Sequence, residues 1–116
     1  MTSVSVSLRA EPAELTMPER HTFRLSLDAL NPGDRTVDPR LHRARLLVNG
    51  HESTAWSLAV GNGRRPPEWT ALPPGERVTM TWSALAAALF PRPGTYDLVL
   101  TLDETETPAV RVVVRD

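Results

Sequence analysis

Apolar and polar residues alternate with a period of two through most of this chain. Val4, Val6 and Leu8 alternate with Ser5, Ser7 and Arg9, and Phe23, Leu25 and Leu27 with Arg24, Ser26 and Asp28. Ala44, Leu46 and Val48 alternate with Arg43, Arg45 and Leu47, and Trp56, Leu58 and Val60 continue the pattern. It returns in Val78, Met80 and Trp82, in Tyr96, Leu98, Leu100 and Leu102, and in Val110, Val112 and Val114. Side chains along a strand point to opposite faces in turn. Each segment therefore predicts a strand with one apolar and one mostly polar face, as in antiparallel sheets that are solvated on one side.

The segments are separated by strong turn signals. "NPGD" (31–34) closes the second strand, and "NG" (49–50) fits a type I′ hairpin because both residues tolerate positive φ. "PPG" (73–75) launches the fifth strand, and "DETETP" (103–108) joins the last two. One short helical turn is expected near 83–90, "SALAAALF", with Ser83 as cap, Leu85 and Leu89 on one face, and Pro91 as stop. The longest unpatterned stretch, 61–75, has a length at which loops often carry function.

About seven short strands in 116 residues predict an all-β fold in a single domain, residues 1–116. The expected architecture is an immunoglobulin-like antiparallel β-sandwich, with a closed barrel as the alternative. Tyr96 follows the rigid "PRPG" turn at the start of the sixth strand. In such sandwiches a tyrosine at that place packs its ring into the core and returns its hydroxyl to nearby backbone. Leu98 stands where antibody domains carry a cysteine, so this is not an antibody-type domain.

"LPPGERVTMTW" and "PRPGTYDLVLTL", with the "LNPGD" turn and the Trp56 segment, resemble small bacterial immunoglobulin-like domains. Among these the chain is loosely similar to the family of the Bacillus intracellular proteinase inhibitor. The resemblance covers about half the chain and lies in turn and core motifs. It implies the sandwich fold and, by extension from fold, a protease-inhibitor-like role. No residue here is placed in that family's inhibitory segment.

Composition narrows the chemistry. The net charge of −1 gives no general attraction to nucleic acid or membrane, and neither is expected as a partner. There is no cysteine, hence no disulfide framework and no thiolate metal site. The first residues lack the charged start and apolar stretch of a signal peptide; the expected compartment is the cytoplasm, or the exterior if a leader has been removed. His21, His42 and His51 show no metal-ligand spacing, and neither a G-x-S-x-G elbow nor a phosphate loop is present. No cofactor, metal or catalytic site is expected.

All thirteen cations are arginine, and six of them lie in residues 35–65 against two acids. This basic segment supplies the candidate binding residues Arg43, Arg45, Arg64 and Arg65, with Trp69 beside them as an apolar anchor. Arginine and tryptophan are the residues that dominate interface hot spots. The four arginines gather if the strands flanking the "NG" turn pair. The acidic 103–106 tip, on another hairpin, need not neutralise them. The expected function is a non-enzymatic protein-interaction module whose partner presents an acidic surface. Two alternatives stand beside it: a carbohydrate-binding module stacking sugars on Trp69 and Trp56, and an accessory subunit that self-associates through a sheet edge.

Overall fold

The alternating segments pair into two sheets. The computed structural model describes residues 4–62 and 66–116. One sheet has three antiparallel strands: β1 (Ser5–Glu11), β3 (Arg24–Leu30) and β6 (Arg77–Trp82), with β3 in the centre. The other runs in the order β2 (Glu14–Thr16), β9 (Val110–Arg115), β7 (Gly94–Leu102), β4 (Arg45–Val48), β5 (His51–Glu52). A short β8 (Thr105–Glu106) folds back on β7. The first extended segment is thus divided. Its leading part pairs with β3, and after Pro12 the chain crosses to lie parallel to β9 in the other sheet.

The inward phase is the one the alternation predicts. Leu8, Leu25, Leu27, Ala29 and Val78 from the first sheet meet Leu46, Leu98, Leu100, Val112 and Val114 from the second, all buried. Removing that apolar surface from water is the main stabilising term; each fully buried leucine or valine contributes roughly 1.5–3 kcal/mol. Phe90 sits edge-on to Phe23 and tilted against Tyr96, with ring centroids 4.9 Å apart in both pairs. Tyr96 is 8% exposed, and its hydroxyl donates to the Arg92 carbonyl at 2.5 Å. The corner after "PRPG" is therefore built as the sequence implies.

The turns follow their chemistry. Asn49 and Gly50 take φ of 50° and 83°, the type I′ hairpin joining Val48 to His51. The Asn49 side chain then continues the β4–β7 ladder, accepting from Asp97 N at 2.8 Å. Buried Asn31 is the post of the "NPGD" turn. Its amide donates to the carbonyls of Arg35 (2.6 Å) and Leu72 (2.9 Å), and its oxygen accepts from Gly33 N (3.0 Å). Ahead of β3, the 3-10 turn Met17–Thr22 is closed by Glu19, whose carboxylate accepts from Thr16 N and Oγ1, both at 2.9 Å. The backbone donor first, and the hydroxyl second, hold that carboxyl below its ordinary pKa.

Two expectations are corrected. The segment read as a fourth strand is the helix α1 (Thr54–Asn62). Trp56 and Val60 are buried whereas Leu58 is 59% exposed, which is helical rather than strand phasing. An i, i+4 pair satisfies both periods, and Ser53 Oγ, accepting from Trp56 N at 3.2 Å, starts the helix. The helical turn near 83–90 is present as α2 (Ala86–Leu89), but Leu85, not Ser83, occupies its N-cap. No described helix is long and apolar enough to cross a membrane.

Candidate functional site

Arg43 and Arg45 are brought to one place by the lead-in to β4. Leu41 and Ala44 are buried, pinning a 3-10 turn, so the alternating Arg43 and Arg45 point out from the six-stranded sheet. In the β4–β7 register Arg45 lies opposite Thr101, which carries Arg43 to Asp103. Arg43 Nη2 stands 3.3 Å from Asp103 Oδ1, and Arg45 Nη1 donates to both Glu52 oxygens at 3.0 and 3.2 Å. The guanidinium-bearing side chains remain 51% and 63% exposed. With His42, and with Ser57 of α1, they line an open recess of about 460 Å³.

This geometry corrects the expected charge balance. The sequence leaves the acidic hairpin tip with no need to neutralise the arginines; the antiparallel register places Asp103 of that tip against Arg43. The "NG" turn does not return a long strand beside β4, since β5 has two residues before the chain enters α1. Arg64 and Arg65 lie outside the described residues.

Trp69 is not an exposed anchor. It sits in the 3-10 turn Pro67–Trp69, 1% exposed, and its ring packs against Trp82 at 6.3 Å. The following residues are tied down by reciprocal backbone bonds between Val37 and Leu72, at 3.0 and 2.7 Å. Burial of so large an apolar surface outweighs the cost of its Nε1, which finds no hydrogen-bond partner among the described residues. Trp56 is wholly buried and donates its Nε1 to Ala44 O at 3.0 Å. Neither indole offers the open face that stacking a sugar requires.

The alternation holds a signal that the arginines overshadowed. Leu47 and Val99 stand opposite each other on the outward phase of β4 and β7, both half-buried. The Arg45–Glu52 pair lies at one end of them. At the other end Arg111 Nε donates to Asp97 Oδ1 at 3.0 Å, which raises the Arg111 pKa. An apolar centre with a charged rim is the anatomy of a protein-binding surface. Two aliphatic residues in polar phase were the clue.

Among the described residues no three His, Asp or Glu side chains gather to hold a metal. No family model matches the chain, and no curated protein matches it. Solved structures do. The CARDB domain of a Pyrococcus furiosus protein, determined in complex with di-metal ions, is 17% identical with a TM-score of 0.56, over 98% of this chain and 94% of that one. A β-glucosidase from Erythrobacter marinus is 17% identical with a TM-score of 0.57, over 97% of this chain but only 15% of the enzyme. Likeness at this identity carries fold alone, and the fold it carries is the immunoglobulin-like β-sandwich.

Proposed function

We propose that this chain is a non-enzymatic protein-interaction domain whose binding face is the outward side of the six-stranded sheet. The observation that carries the reading is the Leu47–Val99 pair on the polar phase, half-buried and bracketed by ion pairs. The occupant that fits is an extended protein segment with an aliphatic residue flanked by carboxylates. The aliphatic side chain covers Leu47 and Val99, while carboxylates reach Arg43 and Arg45, whose planar forks suit bidentate recognition. Asp103 and Glu52 orient the two guanidiniums, each of which carries five N–H donors. Arg64 and Arg65 join the proposal on sequence grounds. A protease-inhibitor-like activity is one version of it. The metal ions of the Pyrococcus domain are not carried over, because no ligand cluster gathers among the described residues.

The test is a titration of isotope-labelled protein with a synthetic peptide of alternating glutamate and leucine, read by amide chemical shifts. Shifts should centre on residues 43–47 and 97–103, weaken with added salt, and lose at least about tenfold in affinity in Arg43→Glu with Arg45→Glu. A separate pair, Arg64→Glu with Arg65→Glu, tests the two remaining arginines. Shifts confined to another face, or affinity untouched by the 43/45 reversal, would refute the assignment. A protease panel run alongside tests the inhibitory version.

A further inference from the structure

We infer that two copies of this chain associate by antiparallel pairing of β6 with β6, joining their three-stranded sheets into one of six. The inference uses the other sheet and stands independently of the face proposed above.

The edges of the two sheets are not equally defended. Edge strands expose unpaired backbone groups, and proteins blunt them with shortness, charge or proline. β2 and β5 have three and two residues. β1 is longer, but it carries Arg9 and Glu11, an ion pair at 3.6 Å, and stops at Pro12. β6 has six residues in unbroken register with β3, and from Val78 to Trp82 it contains no charge, no proline and no glycine. No backbone partner is found on its outer side among the described residues.

The bonds at its start say which groups point outward. Gly75, at φ 74°, donates to Asn31 O at 2.8 Å, and Asn31 N donates to Glu76 O at 3.0 Å, a glycine bulge that leads into the ladder. Asn31 and Glu76 are therefore a hydrogen-bonded pair. Antiparallel alternation then aims the backbone groups of Val78, Met80 and Trp82 at β3, and those of Arg77, Thr79 and Thr81 away from it. A second β6 meets these outward groups with identical ones; Arg77 is the strand's one charged residue, and pairing about Met80 sets it opposite Ser83 of the second copy rather than against another arginine.

The side chains point to one register. Met80 and Trp82 take the inward phase yet stay partly exposed, while Leu25 and Leu27 beside them on β3 are fully buried. With the two-fold axis at Met80, Thr79 pairs with Thr81 of the second copy, Met80 with Met80, and Val78 with Trp82. The uncovered sides of Met80 and Trp82 are then closed by their counterparts. A closed, two-fold contact of this kind makes a dimer rather than a fibre.

Light scattering over a broad concentration series should show the mass doubling. Thr79→Pro removes an outward N–H and leaves the β3 backbone ladder in place, losing beside it only the Thr79–Asp28 side-chain bond, so it should retain the far-UV spectrum and stay monomeric. Should that variant unfold, Thr79→Lys with Thr81→Lys blocks the edge by charge, with loss of the Thr79–Asp28 and Thr81–Ser26 side-chain bonds to β3. Met80→Cys, the sole thiol in a cysteine-free chain, should oxidise to a covalent dimer, because a non-hydrogen-bonded antiparallel pair lies within disulfide reach. A wild type that is monomeric throughout would overturn the inference. So would a dimer that survives the lysine pair, or one in which Met80→Cys fails to cross-link.

Discussion

Tyr96 and the three tryptophans show how much depends on where a single polar atom finds its partner. Tyr96→Phe keeps the ring in the core and deletes one bond to the Arg92 carbonyl. Arg92 is exposed and water can replace the phenol, so urea unfolding should register a loss of about 1 kcal/mol and no more. The tryptophans separate more sharply. Trp56→Phe strands the Ala44 carbonyl in a buried site as well as opening a void, whereas Trp69→Phe deletes an N–H that has no partner among the described residues. Both lose volume, so the difference between them isolates the hydrogen bond. Trp56→Phe should cost more by about 1–3 kcal/mol, measured as midpoints at unchanged slope. Equal losses would mean that the Trp56 bond contributes nothing. The Tyr96 bond was legible in the sequence from its place after "PRPG"; the difference between the tryptophans was not, since there each is only a large apolar residue. The Trp69 anchor reading failed because local composition, "RRPPEW", says nothing of a neighbour thirteen positions away at Trp82.

At the scale of elements, six of the seven expected strands are present and the segment 56–60 is a helix. Alternation over five residues does not separate the two outcomes, since Trp56 and Val60, like the ends of most of the strands, are separated by four, which is even and also about one helical turn. The cap at Ser53 was the discriminating signal. The short strands β2, β5 and β8 were invisible, since two or three residues define no period. The turns, by contrast, were legible residue by residue, because asparagine, glycine and proline act through their own backbone preferences. Asn31 makes this testable. It ties the end of β3 to the segment entering β6, with its amide aimed at two carbonyls. Asn31→Asp turns a carboxylate oxygen toward both carbonyls in a site 1% exposed, so the change should cost about 3 kcal/mol or more at neutral pH. The loss should shrink as acid protonates the new carboxyl, which a pH series of thermal melts would show. The candidate surface was half legible: Arg43 and Arg45 do share a recess, but only the β4–β7 register shows that Asp103 and Glu52 attend them.

For the whole molecule, two surfaces of different character lie on different sheets. One carries ion pairs around Leu47 and Val99; the other is a strand edge without charge from Val78 to Trp82. On the two proposals above, a partner bound at the first leaves the second accessible, so occupancy and self-association can be varied separately. The fold that holds them is shared at 17% identity with proteins of unlike description, as expected where turns and an alternating core specify architecture and surfaces specify use. The ring contacts among the described residues fall into two sets. Phe23, Phe90 and Tyr96 form one, and Trp56, Trp82 and Trp69 the other, with the first two indoles 4.5 Å apart. Optically, this divides the protein. Light absorbed by indole alone is emitted from a single cluster where α1, β6 and the 67–69 turn meet, and rings this close couple their transitions, giving a paired band of opposite signs in circular dichroism. Such a band watches the seating of α1 on the three-stranded sheet and little else. If it fades at lower denaturant than the far-UV signal, the helix detaches while the sandwich persists; if the two coincide, the molecule opens as one unit.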